Sequence, residues 1–323
     1  MQWDVFSISN LHTIFKLVGA ALCGALISEV YMTQILTDSY HLYQPVKGNL
    51  IPLVFDSPHS GQVLPGDFAS IASIEQIQTG CDAFVDELWL PATSQGASLL
   101  AAQISRMYID LNRAPNDIDP SLLEEPWPGD LQPSEYSNRG MGLIRALALP
   151  GQPMYKNSLS TCAVVKRITQ YYQPYHMCLK TLLGQLKQQF GQVWHIDCHS
   201  MKSRGNAMNI DDNQPRADIV IGDLDGTSTD PEFTALVVQS FRQVGYRVAV
   251  NYPYKGGYLT TNYGKPKERQ HSIQIEINRA LYMNEKQFCR SANFDLLQAD
   301  LQRVTQIVVG YIRERLLDVR GEE

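Results

Sequence analysis

The chain has 323 residues, 44% of them hydrophobic and 19% charged, which supplies ample core material and excludes a disordered or collagen-like chain. Its formal net charge is −6, from 27 basic and 33 acidic side chains, which argues against a broad phosphate-binding surface and so against a nucleic-acid partner. Six cysteines, at 23, 81, 162, 178, 198 and 289, include no CxxC pair, so neither a zinc knuckle nor a dithiol centre is signalled, and reduced thiols in a cytoplasmic protein are expected.

The elements follow in chain order. An apolar run at 17–27 has the length of a signal-peptide core and is too short to span a bilayer. Before it stand Asp4 and a single basic residue, Lys16, and no Ala-x-Ala site follows. Residues 1–39 are therefore read as an N-terminal extension, with the working polypeptide starting near Met32 and no stable membrane association. The remainder, 40–320, has no repeat, low-complexity tract or Gly/Ser linker and is read as one domain.

Within it, β-rich runs at 51–56, 98–104, 107–111, 193–198, 217–221, 247–251 and 273–277 alternate with helical stretches at 82–90, 156–190, 231–244 and 294–317. Several of the strands are apolar without alternation, as in a sheet covered on both faces. The fold class expected is α/β: a three-layer α/β/α sandwich with a mixed, mostly parallel sheet. Pro174 predicts a kink or break in the long central helix. Residues 114–139 hold five prolines and are expected to be disordered or a functional loop, with a substrate-covering loop favoured.

Chemistry-bearing residues gather at the ends of the predicted strands, where ligands bind in α/β sheets. The turn Asp56-Ser57-Pro58-His59-Ser60-Gly61 places His59 there. In VWHIDCHS, His195, Asp197 and His199 share one strand face, and buried polar groups must be paired or metal-bound because leaving one unsatisfied costs roughly 1–3 kcal/mol. Asp197 is expected to orient a histidine, with a direct ligand role as the alternative. Arg106 and Arg113 bracket the stretch from Ser105, and guanidinium forks match carboxylates, so an acidic small molecule fits; surface ion pairs with Asp110 are the alternative. Gln274, Glu276 and Asn278 share a face of another strand, and a buried Glu there is paired or catalytic. Asp82 and Asp86, four apart, are read as one side of a helix. No GxGxxG, Walker, HExxH or GxSxG motif is present.

Taken together, SPHSG at 57–61, DxxVD at 82–86, SRxxxDLNR at 105–113, GxGLI at 140–144, PYH at 174–176, DCHS at 197–200, NxPYKGGY at 251–258 and QIEINRxLYM at 274–283 resemble the N-formylglutamate amidohydrolase family. The resemblance covers residues 43–283, and that family is similar in fold to zinc carboxypeptidases and aspartoacylases. It implies a Zn2+ cofactor, or another divalent metal, held by His59 and His199. It also implies Glu276 as general base, and Asn112 and Arg113 as binders of a substrate carboxylate. The relatives use His-x-x-Glu, whereas the residue three beyond His59 is Gln62, so the acidic ligand is sought elsewhere: Asp82, with Asp86 as the alternative. Arg106 is nominated for the oxyanion, with Arg279 either sharing that role or binding substrate. The implied reaction is hydrolysis of N-formyl-L-glutamate, an anionic small molecule, in histidine breakdown. A deacylase of another N-acyl amino acid, its pocket reshaped by the Pro-rich loop and Trp127, and an inactive ligand-binding relative stay open as alternatives.

Overall fold

The computed structural model describes residues 32–45 and 48–321, so residues 1–31, with the apolar run 17–27, lie outside the described residues. Eight strands form the main sheet: β1 (Met32–Leu36), β2 (Tyr40–Pro45), β3 (Leu53–Ser57), β4 (Ser98–Ala102), β5 (Val193–Met201), β6 (Ile219–Gly222), β7 (Val248–Val250) and β8 (Gln270–Asn278). Their spatial order is β1-β2-β4-β3-β5-β8-β6-β7. The pairs β4/β3, β3/β5, β5/β8 and β6/β7 are parallel. The pairs β1/β2, β2/β4 and β8/β6 are antiparallel, so the sheet is mixed with a parallel centre.

Alternation along the central strands divides the residues between two faces. Phe55, Trp194, Ile196, Ile273 and Ile275 point to one face, where they pack with α1 (Val85–Trp89), α3 (Pro231–Gln243) and α4 (Phe294–Gly321). On the other face Val54, Leu100 and Ala102 meet Tyr175, Leu179 and Leu183 of α2 (Gln173–Phe190). The result is the expected α/β/α sandwich. That second face also carries Asp56, His195, Asp197, His199, Gln274 and Glu276, all buried.

Four expectations need correction. Residues 107–111 are not a strand: Tyr108 and Ile109 both donate backbone hydrogen bonds to the Ser105 carbonyl, and Met107, Ile109 and Leu111 are buried in a turn. The central helix starts at Thr161, behind the Ser160 cap, not at 156. It is not broken at Pro174. A π-helical turn, Ile168–Tyr172, widens the coil just before the proline, and the Gln173 N–H bonds back to the Ile168 carbonyl. The helix predicted at 82–90 begins only at Val85, because Phe84 has φ of 65°, so Asp82 precedes it and does not share a helical face with Asp86. Strands β1 and β2 escaped the sequence reading, and β1 lies within the segment 1–39 assigned there to an extension.

The Pro-rich segment is tied down. Asp117 accepts from the backbone N–H of Ser134 at 2.7 Å and from its hydroxyl at 2.8 Å, and Ser134 caps the short helix Glu135–Asn138. Trp127 packs against the α2-side core and is not among the residues that line the pocket described below. Tyr136 is this segment's contribution to the pocket wall. Among the described residues no helix is long and apolar enough to cross a membrane.

Candidate active site

His59 sits in the tight turn after β3, and that turn passes so close to β4 that a Cβ on Gly61 would lie 2.4 Å from the Gln103 carbonyl carbon. His199 ends the polar face of β5. Asp82 reaches in from the loop before α1, its backbone N–H donating to the His59 carbonyl at 3.0 Å. The three side chains converge. His59 Nδ1 and His199 Nδ1 are 3.0 Å apart, and Asp82 Oδ2 is 3.0 Å from the latter and 3.5 Å from the former.

The other nitrogen of each ring faces a buried carboxylate. His59 Nε2 is 2.7 Å from Asp110 Oδ1, and His199 Nε2 is 2.6 Å from Asp197 Oδ1. A neutral imidazole that donates from Nε2 offers only a lone pair at Nδ1. Two such lone pairs and a carboxylate oxygen then share one small volume with no donor between them, a donor set that suits a divalent cation. Burial, with the nearby Arg106, lowers the His59 pKa and keeps that ring neutral. Burial opposes charge on His199 too, but Asp197 and Asp82 outweigh it and raise its pKa well above the usual value, so a proton competes with a cation for that spot.

A ring of fixed groups holds the three. Asp110 accepts from Arg106 Nε at 3.1 Å and Nη2 at 2.7 Å; burial would raise its pKa, but Arg106 and then His59 hold it well below the carboxylate range. Asp110 is therefore an internal brace and not the surface partner entertained from the sequence. Asp82 Oδ1 accepts from Arg279 Nη2 at 2.8 Å. The rest of the Arg279 fork is occupied, Nε by the Ser200 hydroxyl and Nη1 by the Thr79 carbonyl. Asn112 donates from Nδ2 to Asp197 Oδ2 at 2.9 Å and accepts from the Leu259 N–H at 2.8 Å. Asn112 and Arg279 thus both line the pocket and hydrogen-bond to the carboxylates around the cluster, Asn112 to Asp197 and Arg279 to Asp82. Gly257 permits this, since a Cβ there would lie 2.5 Å from Asn112 Oδ1.

Glu276 lies directly across from His199 in the parallel β8/β5 register and lines the pocket. Its Oε1 accepts from Gln274 Nε2 at 2.9 Å, and burial pushes its pKa up to about 7 against the opposing pull of His199. A carboxyl poised there can take a proton and return it. The cluster's acidic member is Asp82, and Asp86 is not part of it. Arg106 keeps Nη1 on the site side, 3.8 Å from Asp82 Oδ1. Arg113 lines the pocket, stacked 4.0 Å above Tyr136, with Nε on the Met141 carbonyl and Nη1 on the Asn112 carbonyl.

Sequence reasoning missed Arg145, Lys202, Arg216 and Tyr254, which complete the wall. Arg216 is spent on Asp211 in a two-pronged pair. Lys202 has its pKa pushed down to about 8 by burial and by Arg279. Arg145 follows the apolar pair Leu143-Ile144, and only its isolation in a buried stretch signals a purpose, whereas Lys202 and Arg216 lie in the polar stretches DCHSMKSRGN and DDNQPRAD. Beneath the site Ser272, His195 and Asp56 form a hydrogen-bonded line with steps of 2.8 Å, and Asp56 accepts in turn from the Tyr175 hydroxyl at 2.7 Å. Ser272 is fully buried, so this line holds the strands together and offers no nucleophile.

The family model for N-formylglutamate amidohydrolase matches residues 51–283. The chain belongs to that family. It is 30% identical over 275 residues to the N-formylglutamate deformylase of Pseudomonas aeruginosa, covering 84% of this chain and 94% of that one. The N-formylglutamate deformylase of Pseudomonas putida is 29% identical over 272 residues, 83% and 92% of the two chains. Among solved structures, an N-formylglutamate amidohydrolase from Ralstonia eutropha JMP134 superposes with a TM-score of 0.82 at 42% identity, covering 86% of this chain and 99% of that one. The matched span contains the whole cluster, from His59 through Asp82 and His199 to Glu276.

Proposed function

We propose that this member of the N-formylglutamate amidohydrolase family hydrolyses N-formyl-L-glutamate to formate and L-glutamate, with Zn2+ held by His59, Asp82 and His199. The observation that carries the reading is the convergence of those three acceptors beside a buried carboxyl, Glu276, whose pKa is pushed up to about 7. When bound, the cation supplies Lewis acidity, polarising the formyl carbonyl and acidifying the attacking water.

The chain's own groups do the rest. Glu276 accepts the proton of the water as its oxygen adds to the formyl carbon, and delivers it to the amide nitrogen as the C–N bond breaks, a contribution of roughly 10²–10⁴-fold. Arg106 Nη1, fixed by the grip of Asp110 on the other two nitrogens, faces the charge that develops on the carbonyl oxygen. Arg113 contributes positive charge for the dianionic substrate. A cytoplasmic location and a step in histidine breakdown belong to the same reading and rest on the family resemblance.

The test is direct. Purified protein incubated with N-formyl-L-glutamate should release formate, lose that activity on chelation and regain it with added zinc. Absence of formate from the zinc-replete sample refutes the assignment, and faster release from N-acetyl- or N-succinyl-amino acids moves it to another acyl group.

A further inference from the structure

Arg145 has no part in the chemistry above, yet its side chain is only 9% exposed and lines the same pocket as Glu276. Its Nε is buried without a hydrogen-bond partner among the described residues. The carboxylate it approaches is Asp110, with Oδ2 3.8 Å from Nη2, and that oxygen already accepts two N–H groups from Arg106. A buried guanidinium with unmet donors is costly and calls for an acceptor.

The neighbouring forks do not share this state. Every nitrogen of Arg279 and of Arg216 has a protein acceptor, and Arg113 has two of its three nitrogens on carbonyls. A planar fork aimed into a cavity fits a carboxylate, two parallel N–H···O bonds at a time. We propose that Arg145 is the specificity-determining residue of this site, receiving one carboxylate of the substrate, a group the sequence reading gave to Asn112 and Arg113. The proposal rests on the reading of the substrate as an N-acyl dicarboxylic amino acid. Burial and the charge of Arg106 push the Arg145 pKa down to about 9, the direction expected of a cation without its counter-ion.

The experiment compares wild type with Arg145→Gln on three substrates: N-formyl-L-glutamate, N-formyl-L-glutamine, which lacks the side-chain carboxylate, and N-formyl-L-isoglutamine, which lacks the α-carboxylate. Arg145→Gln should lower kcat/KM for N-formyl-L-glutamate by about 100-fold, chiefly through KM, while zinc content and melting temperature stay at wild-type values. One of the two amides should escape this loss, and the carboxylate it lacks is the one Arg145 holds. Equal losses on all three substrates, or no loss on any, overturn the proposal. Arg145→Lys, which keeps the charge without the fork, repeats the comparison if the glutamine variant does not fold. Should wild type hydrolyse none of the three, the proposed function fails. The anchor is then judged by calorimetric binding of glutarate to the zinc-loaded protein, where equal affinity of wild type and Arg145→Gln overturns it.

Discussion

Glu276 and His199 stand side by side on two parallel central strands, although 77 positions separate them in the chain. Neighbours in that register present their side chains to the same face. The proposed proton carrier and one member of the candidate metal cluster are thus fixed to each other by the ladder hydrogen bonds of the sheet.

Glu276→Gln keeps the shape and the Gln274 contact but removes the basic oxygen. Formate release should fall by roughly 10²–10⁴-fold with zinc stoichiometry unchanged. Steady-state kinetics beside metal analysis checks this, and a variant with wild-type kcat would remove Glu276 from its role.

Asp110→Asn weakens the acceptor that fixes the His59 ring and leaves Arg106 without its charged partner. Zinc affinity should drop by roughly 10–100-fold, the usual effect of losing a carboxylate behind a ligating histidine. Competition against a chromogenic chelator measures it; unchanged affinity would show that His59 is oriented by other contacts.

Lys202 gives the site an alkaline limit. Its pKa is pushed down to about 8, so the ammonium loses its charge as pH rises through that value. Below pH 8 the pocket keeps this cation, and above it the attraction for a dianion weakens. KM for N-formyl-L-glutamate should therefore rise above pH 8, and Lys202→Met should show a raised KM at neutral pH without that further rise. A KM profile that wild type and variant share would exclude Lys202 from the effect.

Gly257→Ala drives a methyl group against the Asn112 amide, which is pinned by Asp197 and Leu259 and has nowhere to go. The expected cost is about 1–3 kcal/mol of stability, as for other overpacked interiors, together with weaker zinc binding as Asp197 shifts. Denaturant unfolding of the zinc-loaded and zinc-free forms reads both effects.

Much of this arrangement was legible in the sequence because β5 and β8 announce themselves. In VWHIDCHS and QIEIN, polar residues at every second position between apolar ones require a shared, buried and satisfied face. His59 was legible because a turn at the carboxyl end of a strand is where such sheets bind ligands. Residues 107–111 misled because alternating apolar side chains also occur in a turn whose side chains are buried, and period alone does not separate the two. Asp82 was found by chemistry but misplaced on a helix, since nothing in the letters foretold the left-handed backbone at Phe84. The partners of Asn112 and Arg279 were not legible, because the carboxylates they bind lie 85 and 197 residues away in the chain.

The line from Ser272 through His195 and Asp56 to Tyr175 has a consequence for how this molecule fails. On that side of the sheet the centre is not a greasy seam that can soften while the pocket keeps its shape; it is a wired partition in which each group completes the next. Asp56 lies across from Asp197 in the β3/β5 pairing, and Asp197 in turn braces His199. Heat or denaturant that loosens this partition disarms the pocket in the same event, so inactivation and melting should trace one curve.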